Sequence, residues 1–299
     1  MRFGYACINT TLNDNVKKEN RITTNRTMRK KTFLEKGLPY VSELVLKNVT
    51  DLSKILEWNK DNGIHFFRIS SDMIPWASEY DLEDLPNFPE IKNALSKAGQ
   101  FAIDNDMRLT FHPGPFNKLA SEKAGVVQNT ILELSTHGEI FDLMGLSRTH
   151  YNKINIHVGM KRSQDAIDRF IDSFRYLPES VKTRLTLEND DKESMFHVRS
   201  LVSIYEKIGV PIVFDYHHHK FCHDGQSEEE ALKMAVDTWG SITPVVHYSE
   251  SKKESSKPQA HSVMVTNSFN DYGLNFDVML EAKGKEKALL AWKAFKPYT

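Results

Sequence analysis

Short apolar runs rich in β-branched and aromatic residues alternate with amphipathic stretches along the whole chain of 299 residues. From these runs we predict eight strands, at residues 2–7, 64–70, 107–112, 153–159, 184–189, 211–216, 243–248 and 276–283. Several, such as Pro-Ile-Val-Phe-Asp, are almost continuously apolar, which is typical of strands buried on both faces. Because strands alternate with helices throughout, the pattern indicates a parallel sheet.

The number of strand–helix units favours a closed barrel. About eight units in a chain of this length predict a single (β/α)₈ TIM barrel of the α/β class, with an open doubly wound sheet as the alternative. Local signals support the helices: one helical pattern stops at Gly209, and Ser227 with Glu230 forms a capping box before another. We find no solenoid-type repeat and expect one domain over residues 1–299.

Two connections in this pattern are unusually long, at residues 8–48 after the first strand and 249–275 after the seventh. Both follow strands, so we expect them at the C-terminal face, where barrel enzymes have their active sites. They carry the basic residues Lys17, Lys18, Arg21, Arg26, Arg29, Lys30 and Lys31, and then Lys252, Lys253 and Lys257. Such runs are either simply solvated or, at the rim of a site, suited to an anionic substrate.

Charge and composition narrow the class of protein. The formal net charge is −1, so any nucleic-acid surface must be a local patch. The two cysteines, Cys7 and Cys222, are not a disulfide framework and fit a reducing compartment. No stretch approaches the roughly 20 apolar residues of a membrane span, and the first ten residues lack a signal peptide's apolar region. We therefore expect a soluble protein of the cytoplasm or nucleoid, or of the nucleus in a eukaryote, without a membrane partner.

Most predicted strands end in a possible metal ligand. These residues are His112, His157, Glu188, Asp215 with His218 three residues later, His247 and Glu281, and Glu79 lies further out in the loop after the second strand. One histidine at a strand end is more often structural. Barrel strands converge, however, so that six such ends favour a shared site for divalent ions, with His and carboxylate as ligands. The number of ligands exceeds the needs of one ion, and we expect two or three.

Several short motifs in order suggest a family. They are Gly4-Tyr5, Thr23-Thr24-Asn25-Arg26-Thr27, Phe67-Arg68-Ile69-Ser70-Ser71-Asp72, Ile74-Pro75, His112-Pro113-Gly114, Leu187-Glu188-Asn189-Asp190, Asp215-Tyr216-His217-His218, Val246-His247-Tyr248-Ser249, Ala260-His261 and Val278-Met279-Leu280-Glu281-Ala282-Lys283-Gly284-Lys285-Glu286. Over nearly its whole length the chain resembles the UV damage endonucleases, which are related to endonuclease IV-type barrels.

The resemblance implies an endonuclease of DNA repair. Such enzymes nick duplex DNA directly 5′ to cyclobutane dimers and (6-4) photoproducts, and often at abasic sites. Attack by a metal-activated hydroxide leaves a 3′-hydroxyl and a 5′-phosphate. The predicted ligands fall on the family's ligand positions, and His261 joins them by resemblance, while Glu79 stands where some relatives have histidine. The resemblance implies a cluster of up to three ions, with manganese expected and zinc or magnesium as alternatives.

The same resemblance implies further roles. Glu188 would bridge ions or orient the attacking water, and Lys283 and Lys285 would neutralise charge on the phosphate. The residues expected to contact DNA are Tyr5, Asn9, Asn25, Arg26, Pro115, Phe116, Lys252 and Lys253. Besides Glu79, two departures stand out: Pro115-Phe116 replaces the Gln-Tyr pair with which some relatives probe the duplex, and Val245 stands where some relatives have a lysine. Phe116 can still stack on bases, although it has no hydroxyl group.

Three other functions remain open from the sequence. A sugar isomerase or epimerase of the same barrel class would use one or two ions at the same face. A lesion-binding protein without catalysis would keep the fold but has no need of an intact ligand set. An abasic-site endonuclease would lack activity on photoproducts. We expect damaged double-stranded DNA as the partner, no obligate protein partner, and a monomer.

Overall fold

The computed structural model describes residues 1–14 and 17–295. Eight strands are found in this part of the chain: β1 Phe3–Ala6, β2 Phe66–Arg68, β3 Arg108–Thr110, β4 Ile154–Ile156, β5 Leu185–Glu188, β6 Ile212–Asp215, β7 Val245–Tyr248 and β8 Asp277–Leu280. Each lies inside one of the predicted runs and is shorter than it. Barrel strands tilt and stagger against their neighbours, so that the ladder covers only the middle of each apolar run.

The strands form one parallel sheet in the order β3-β2-β1-β8-β7-β6-β5-β4. A parallel bridge between Phe111 and Ile154 joins the two outer strands, β3 and β4. The sheet therefore closes on itself. The predicted (β/α)₈ barrel is confirmed, and the open doubly wound sheet is excluded.

Helices surround the barrel. They are α1 Thr10–Asn13, α2 Lys30–Asp61, α3 Phe88–Asp104, α4 Ala124–Leu143, α5 Gln164–Phe174, α6 Glu179–Lys182, α7 Val198–Ile208, α8 Tyr216–His219, α9 Glu228–Asp237 and α10 Lys285–Phe295. Two predicted boundaries are confirmed: Gly209 ends α7 in the left-handed region, at φ 68°, and the Ser227–Glu230 capping box begins α9. Among the described residues, no helix is long and apolar enough to cross a membrane.

The first long connection is shorter than predicted. Residues 8–48 read as a loop in the sequence, but α2 already begins at Lys30. The helical pattern is hidden by an interruption: Gly37 has φ 63° and Pro39 follows it within the same element. Beyond the interruption, Val41 and Val45 are fully buried, which explains why this segment is helical. The second long connection is irregular as predicted, apart from an antiparallel bridge between Ser251 and His261.

The interior of the barrel is partly apolar and partly charged. A cluster of Ala6, Phe66, Val213, Trp239, Val245 and Met279 fills one portion of it. Arg108 and Asp277 form a fully buried ion pair at 3.0 Å. Lys153 and Asn155 are also fully buried. Buried charges require partners. Arg108 and Asp277 pair with each other where β3 and β8 begin, whereas Lys153 and Asn155 contact His247 and Glu188, two of the predicted ligands.

Candidate metal centre

Glu188 lies at the middle of the site, at the end of β5, and is fully buried. Its Oε2 atom is 3.0 Å from His112 Nε2 and 3.1 Å from His247 Nδ1. Its Oε1 atom is 3.3 Å from His218 Nδ1. These residues come from the ends of β3, β5 and β7 and from α8, which converge at the C-terminal face because the barrel is parallel.

The other strand ends complete the cluster. Glu281 Oε1 lies 3.2 Å from His247 Nδ1, and His157 Nε2 lies 4.0 Å from Glu188 Oε2. Three overlapping sets each have possible ligand atoms within 4.8 Å of one another: His112, His157 and Glu188; His112, His247 and Glu281; Glu188, Asp215 and His218. All the strand-end ligands predicted from the sequence, together with His218, therefore lie in one place.

Several buried atoms of this cluster fit a bound cation. Among the described residues, His247 Nδ1, Glu188 Oε1 and Asp215 Oδ2 are buried without a hydrogen-bond partner. An unsatisfied buried polar group costs about 1–3 kcal/mol, and three in one cluster are unusual in a folded protein. More than one divalent ion bound in the cluster would satisfy these atoms, and mixed imidazole and carboxylate donors suit zinc or manganese.

The pKa values of residues in this cluster depend on their burial and on their charged neighbours. Burial alone would raise the pKa of Glu188, but His247, His157 and His112 hold it well below its usual range. Burial lowers the pKa of His247 to about 4. Burial raises the pKa of Asp215 to about 6, although His218 opposes the rise. At neutral pH the central carboxylate is therefore ionised and His247 is neutral, which are the forms that bind a cation.

Oxygen atoms orient most of the histidine rings. In His112, Nδ1 lies 3.2 Å from Pro113 O, and in His157 it lies 3.3 Å from Asp190 Oδ1. In His218, Nδ1 lies 2.9 Å from Asn189 O, and in His261 it lies 2.8 Å from Glu281 O. Such partners fix the ring orientation of metal-binding histidines. His247 differs, because its Nε2 atom faces the Nζ atom of Lys153 at 3.3 Å.

Glu79 is placed away from this cluster. Its side chain is 42% exposed, and its Oε1 atom lies 2.5 Å from Lys30 Nζ. Lys30 Nζ also lies 4.8 Å from the centre of the Trp76 ring. The 3₁₀ turn at Ala77–Glu79 thus directs the carboxylate to a surface cation. This arrangement does not support the ligand role that the resemblance implies for Glu79.

His261 and two lysines lie at the rim. The His261 side chain is 26% exposed, and its Nδ1 atom is 3.9 Å from Glu281 Oε2. A cavity of about 310 Å³ beside it is lined by Ala6, Arg68, Ala260, His261, Glu281, Ala282, Lys283 and Lys285. His261 is thus next to the cluster without belonging to the three sets. Lys283 and Lys285 line this cavity together with Glu281, and their role towards a phosphate stays a prediction.

Some of the predicted DNA contacts are available to a ligand. Phe116 is 85% exposed, and Pro115, Lys252 and Lys253 are also exposed. Asn25 is half-buried. The loops that follow β3 and β7 carry the four exposed residues, so they surround the C-terminal face of the barrel. The side chain of Lys18, in the first loop, lies outside the described residues.

Other predicted DNA contacts are used inside the protein. Tyr5 and Asn9 are fully buried; the Tyr5 hydroxyl donates to Asn59 Oδ1 at 2.7 Å and accepts from Asn9 Nδ2 at 3.0 Å. Arg26 Nη2 donates to Asp51 Oδ2 at 2.6 Å. These contacts hold the first connection against α2. The structure therefore does not support a direct DNA contact by Tyr5 or Asn9, and it gives Arg26 a structural role.

Sequence reasoning missed several residues that surround the ligands. Arg68 Nη1 pairs with Glu281 Oε1, and Asn155 Nδ2 donates to Glu188 Oε2. A signal was present, because alternate residues of a strand share one face. Lys153 and Asn155 precede His157 at intervals of two, so all three are expected to face the barrel interior.

Comparisons with known proteins identify the family of this chain. The sequence model of the family described as UV-endonuclease UvdE matches residues 1–296. A UV-damage endonuclease of Schizosaccharomyces pombe is 36% identical over 305 residues, which cover 96% of this chain and 49% of that protein. This chain therefore spans about half the length of that relative.

Solved structures with a similar fold include one of a related sequence. The crystal structure of SacUVDE has a TM-score of 0.85 and 32% identity, covering 99% of this chain and 97% of that one. A D-psicose 3-epimerase from Clostridium cellulolyticum has a TM-score of 0.54 at 13% identity, covering 77% of this chain and 78% of that one; this likeness is one of fold alone. The match of the family model over residues 1–296 and the 36% identity over 96% of this chain show that the protein belongs to the UV-endonuclease UvdE family.

Proposed function

We propose that this protein hydrolyses the phosphodiester bond directly 5′ to UV photoproducts in double-stranded DNA and leaves a 3′-hydroxyl and a 5′-phosphate. The observation that carries the proposal is the convergence of His112, His157, Glu188, Asp215, His218, His247 and Glu281 on one buried cluster. Family membership adds the class of reaction and of substrate.

We further propose that the cluster holds two or three divalent ions, with manganese as our first choice. Glu188 and His112 each belong to two of the three candidate sets. Glu188 is the better residue to be shared between ions, because a carboxylate has two oxygen atoms that can bind. His261 would join them at the rim. When bound, such ions supply Lewis-acid activation of water and neutralise charge on both oxygens of an in-line phosphoryl displacement.

The protein's own residues would position the DNA. Lys283 and Lys285 line the cavity next to Glu281, where they would hold the scissile phosphate through charge and hydrogen bonds. Lys252 and Lys253, in the loop after β7, would bind neighbouring phosphates of the backbone. Phe116, which is 85% exposed, would stack where the damaged nucleotides leave the helix.

Selectivity for damage would arise in part from the DNA. A photoproduct weakens stacking and pairing, so that turning the damaged nucleotides out of the duplex costs less than for normal ones. An apolar side chain inserted between base steps favours the kinked form further. The exposed basic rim argues against a small sugar as the substrate, because a sugar has no phosphate backbone for the rim to hold.

A nicking assay tests the proposal. Three duplexes of one sequence, carrying a cyclobutane dimer, an abasic site or no damage, would be incubated with Mn²⁺ or with EDTA. We expect a cut directly 5′ to the dimer with Mn²⁺, no cut with EDTA, and no cut in undamaged DNA. Cleavage of the abasic duplex alone would replace our proposal with an abasic-site endonuclease. Absence of cleavage in all three, with Mn²⁺ bound, would exclude both.

A further inference from the structure

Two neighbouring apolar side chains are exposed on the loop after β7. Val263 is 56% exposed and Met264 is 39% exposed, and both closely follow His261 at the rim of the candidate metal centre. Single exposed apolar residues are common on protein surfaces, so exposure alone does not indicate a function. The Val263–Met264 pair is distinguished by the way in which its backbone is held and by its place on the barrel.

The backbone of this loop is fixed on the segment that carries Lys283. The Lys283 N–H group donates to Ser262 O at 3.0 Å, and the Gly284 N–H group donates to Val263 O at 2.8 Å. A Cβ atom at position 284 would lie 2.7 Å from Val263 O, so a larger residue there would displace the loop. Glu250 Oε1 accepts from two backbone N–H groups further along the loop, at 2.8 and 2.6 Å. The protein itself therefore holds the pair in place, which lowers the entropy lost on binding a ligand.

The order of the strands places this pair opposite Phe116. In the closed ring of eight strands, β3 and β7 are four steps apart in either direction, so the loops that follow them stand on opposite sides of the C-terminal face. Phe116 lies on the loop after β3, whereas Val263 and Met264 lie on the loop after β7. The ligand cluster lies between the two loops, so a ligand that covers the cluster and touches Phe116 can extend to the pair.

The charges around the pair favour DNA as this ligand. Lys252 and Lys253 are exposed on the same loop, and Lys283 and Lys285 line the cavity beside His261. Lysines bind the phosphates of DNA, and apolar side chains pack against its bases and sugars, so an apolar surface framed by lysines suits both parts of a nucleotide. A second copy of this chain, placed on the same face by two-fold symmetry, would bring like charges together.

We propose that Val263 and Met264 form a second apolar contact with damaged duplex DNA, on the side of the metal centre opposite to Phe116. The inference rests on the proposed function and gives the loop after β7 a role besides phosphate binding. Apolar side chains placed between base steps stabilise a kinked duplex, and two such contacts hold the strand on either side of the scissile phosphate. A lesion makes kinking less costly, so the contact favours damaged over undamaged DNA.

The test replaces the apolar groups by polar ones of similar volume, in a variant that carries both Val263→Thr and Met264→Gln. Fluorescence anisotropy measures its Kd for a labelled, dimer-containing duplex in EDTA, which keeps the duplex intact. We expect Kd to rise roughly tenfold, because the exposed parts of the pair together amount to about one whole side chain. The slope of log Kd against log salt concentration should stay at the wild-type value, whereas Lys252→Ala should reduce it by about 1.

Ile103→Thr is the matched control. Ile103 is 51% exposed near the end of α3, which precedes β3 and therefore lies towards the N-terminal end of the barrel. This variant should bind the duplex as wild-type protein does. A variant with Val263→Leu and Met264→Leu keeps the apolar surface and should also keep the wild-type Kd. The unfolding temperature and the Kd for Mn²⁺ should be unchanged in all of these variants.

The outcomes separate this inference from the proposed function. A wild-type Kd in the polar double variant would overturn the contact, and so would an equal rise in Ile103→Thr. If wild-type protein binds the dimer-containing duplex but does not nick it with Mn²⁺, the proposed function fails, while the comparison of Kd values still decides the role of the pair. If wild-type protein binds no damaged duplex, both fail. If the double variant does not fold, Val263→Thr alone decides, and an unchanged Kd in that folded protein overturns the contact.

Discussion

Glu188 Oε2 lies 3.0 Å from His112 Nε2 in a fully buried environment. The two residues end β5 and β3, which are not adjacent in the sheet, so the contact crosses the interior of the barrel. Glu188 is shared by two of the three candidate metal sets, and Asn155 donates to the same oxygen atom. His112 belongs to two sets as well, but Glu188 contacts three histidines, His112, His247 and His218. A change at this carboxylate should therefore disturb more of the centre than a change at any one histidine.

Replacing Glu188 tests this directly. Glu188→Gln keeps the shape of the side chain but removes the negative charge, so we expect Mn²⁺ binding to weaken and nicking of a dimer-containing duplex to fall by at least about 100-fold. A nicking assay measures the loss of activity, and a calorimetric Mn²⁺ titration measures the loss of affinity. Circular dichroism of the same sample should show wild-type secondary structure. A folded variant with full nicking activity would exclude the central role of Glu188.

Metal should stabilise the fold as well as supply chemistry. Glu188, Asp215 and Glu281 place three carboxyl groups within one cluster, and ligand atoms there are unsatisfied. An ion that binds only the folded state at 100 times its Kd adds about 2.7 kcal/mol, which corresponds to an increase of several degrees in unfolding temperature. Thermal scans of metal-free protein with and without added Mn²⁺ measure this increase in unfolding temperature. An unchanged unfolding temperature at saturating Mn²⁺ would contradict a cluster-bound ion.

The sequence predicts the barrel and the centre of the site because both depend on local periodicity. Each strand is an apolar run, and six of the eight end in a possible ligand whose position at the C-terminal face follows from the parallel order. The surroundings of the site are less predictable. Lys153 contacts a residue 94 positions away, and no local pattern encodes that distance. The helix from Lys30 was missed since Gly37 and Pro39 interrupt its period.

The resemblance and the structure give Glu79 different roles, and a variant can decide between them. The resemblance implies a ligand, whereas the side chain is paired with Lys30. We therefore expect Glu79→Gln to keep wild-type Mn²⁺ stoichiometry and to lose only a surface ion pair, worth about 0–1 kcal/mol. His261→Ala, at the rim beside Glu281, is the matched variant and should weaken Mn²⁺ binding. Elemental analysis of both variants measures the number of Mn²⁺ ions bound per protein. Loss of an ion in Glu79→Gln would show that Glu79 is a ligand after all.

Phe116 should matter for damaged DNA and not for metal. It is 85% exposed on the loop after β3, and stacking of a base on an aromatic ring is worth about 1–3 kcal/mol. Phe116→Ala should therefore weaken binding of a dimer-containing duplex by roughly tenfold or more, with unchanged Mn²⁺ affinity. Tyr176 is 76% exposed and lies after α5, towards the N-terminal end of the barrel, so that Tyr176→Ala is the control. Equal effects of the two variants would argue against a probing role for Phe116.

His150 should make stability depend on pH away from the metal centre. Burial lowers the pKa of His150 to about 4, whereas an unfolded histidine titrates near 6.5. Between these values the unfolded chain binds the extra proton, so the contribution to stability is complete above about pH 6.5 and is lost as the pH falls towards 4. Compared with His150→Gln, wild-type protein should lose about 1–2 kcal/mol between pH 7 and pH 5. Urea unfolding of both metal-free proteins at the two pH values measures the difference, and parallel losses in the two proteins would show that His150 is not responsible.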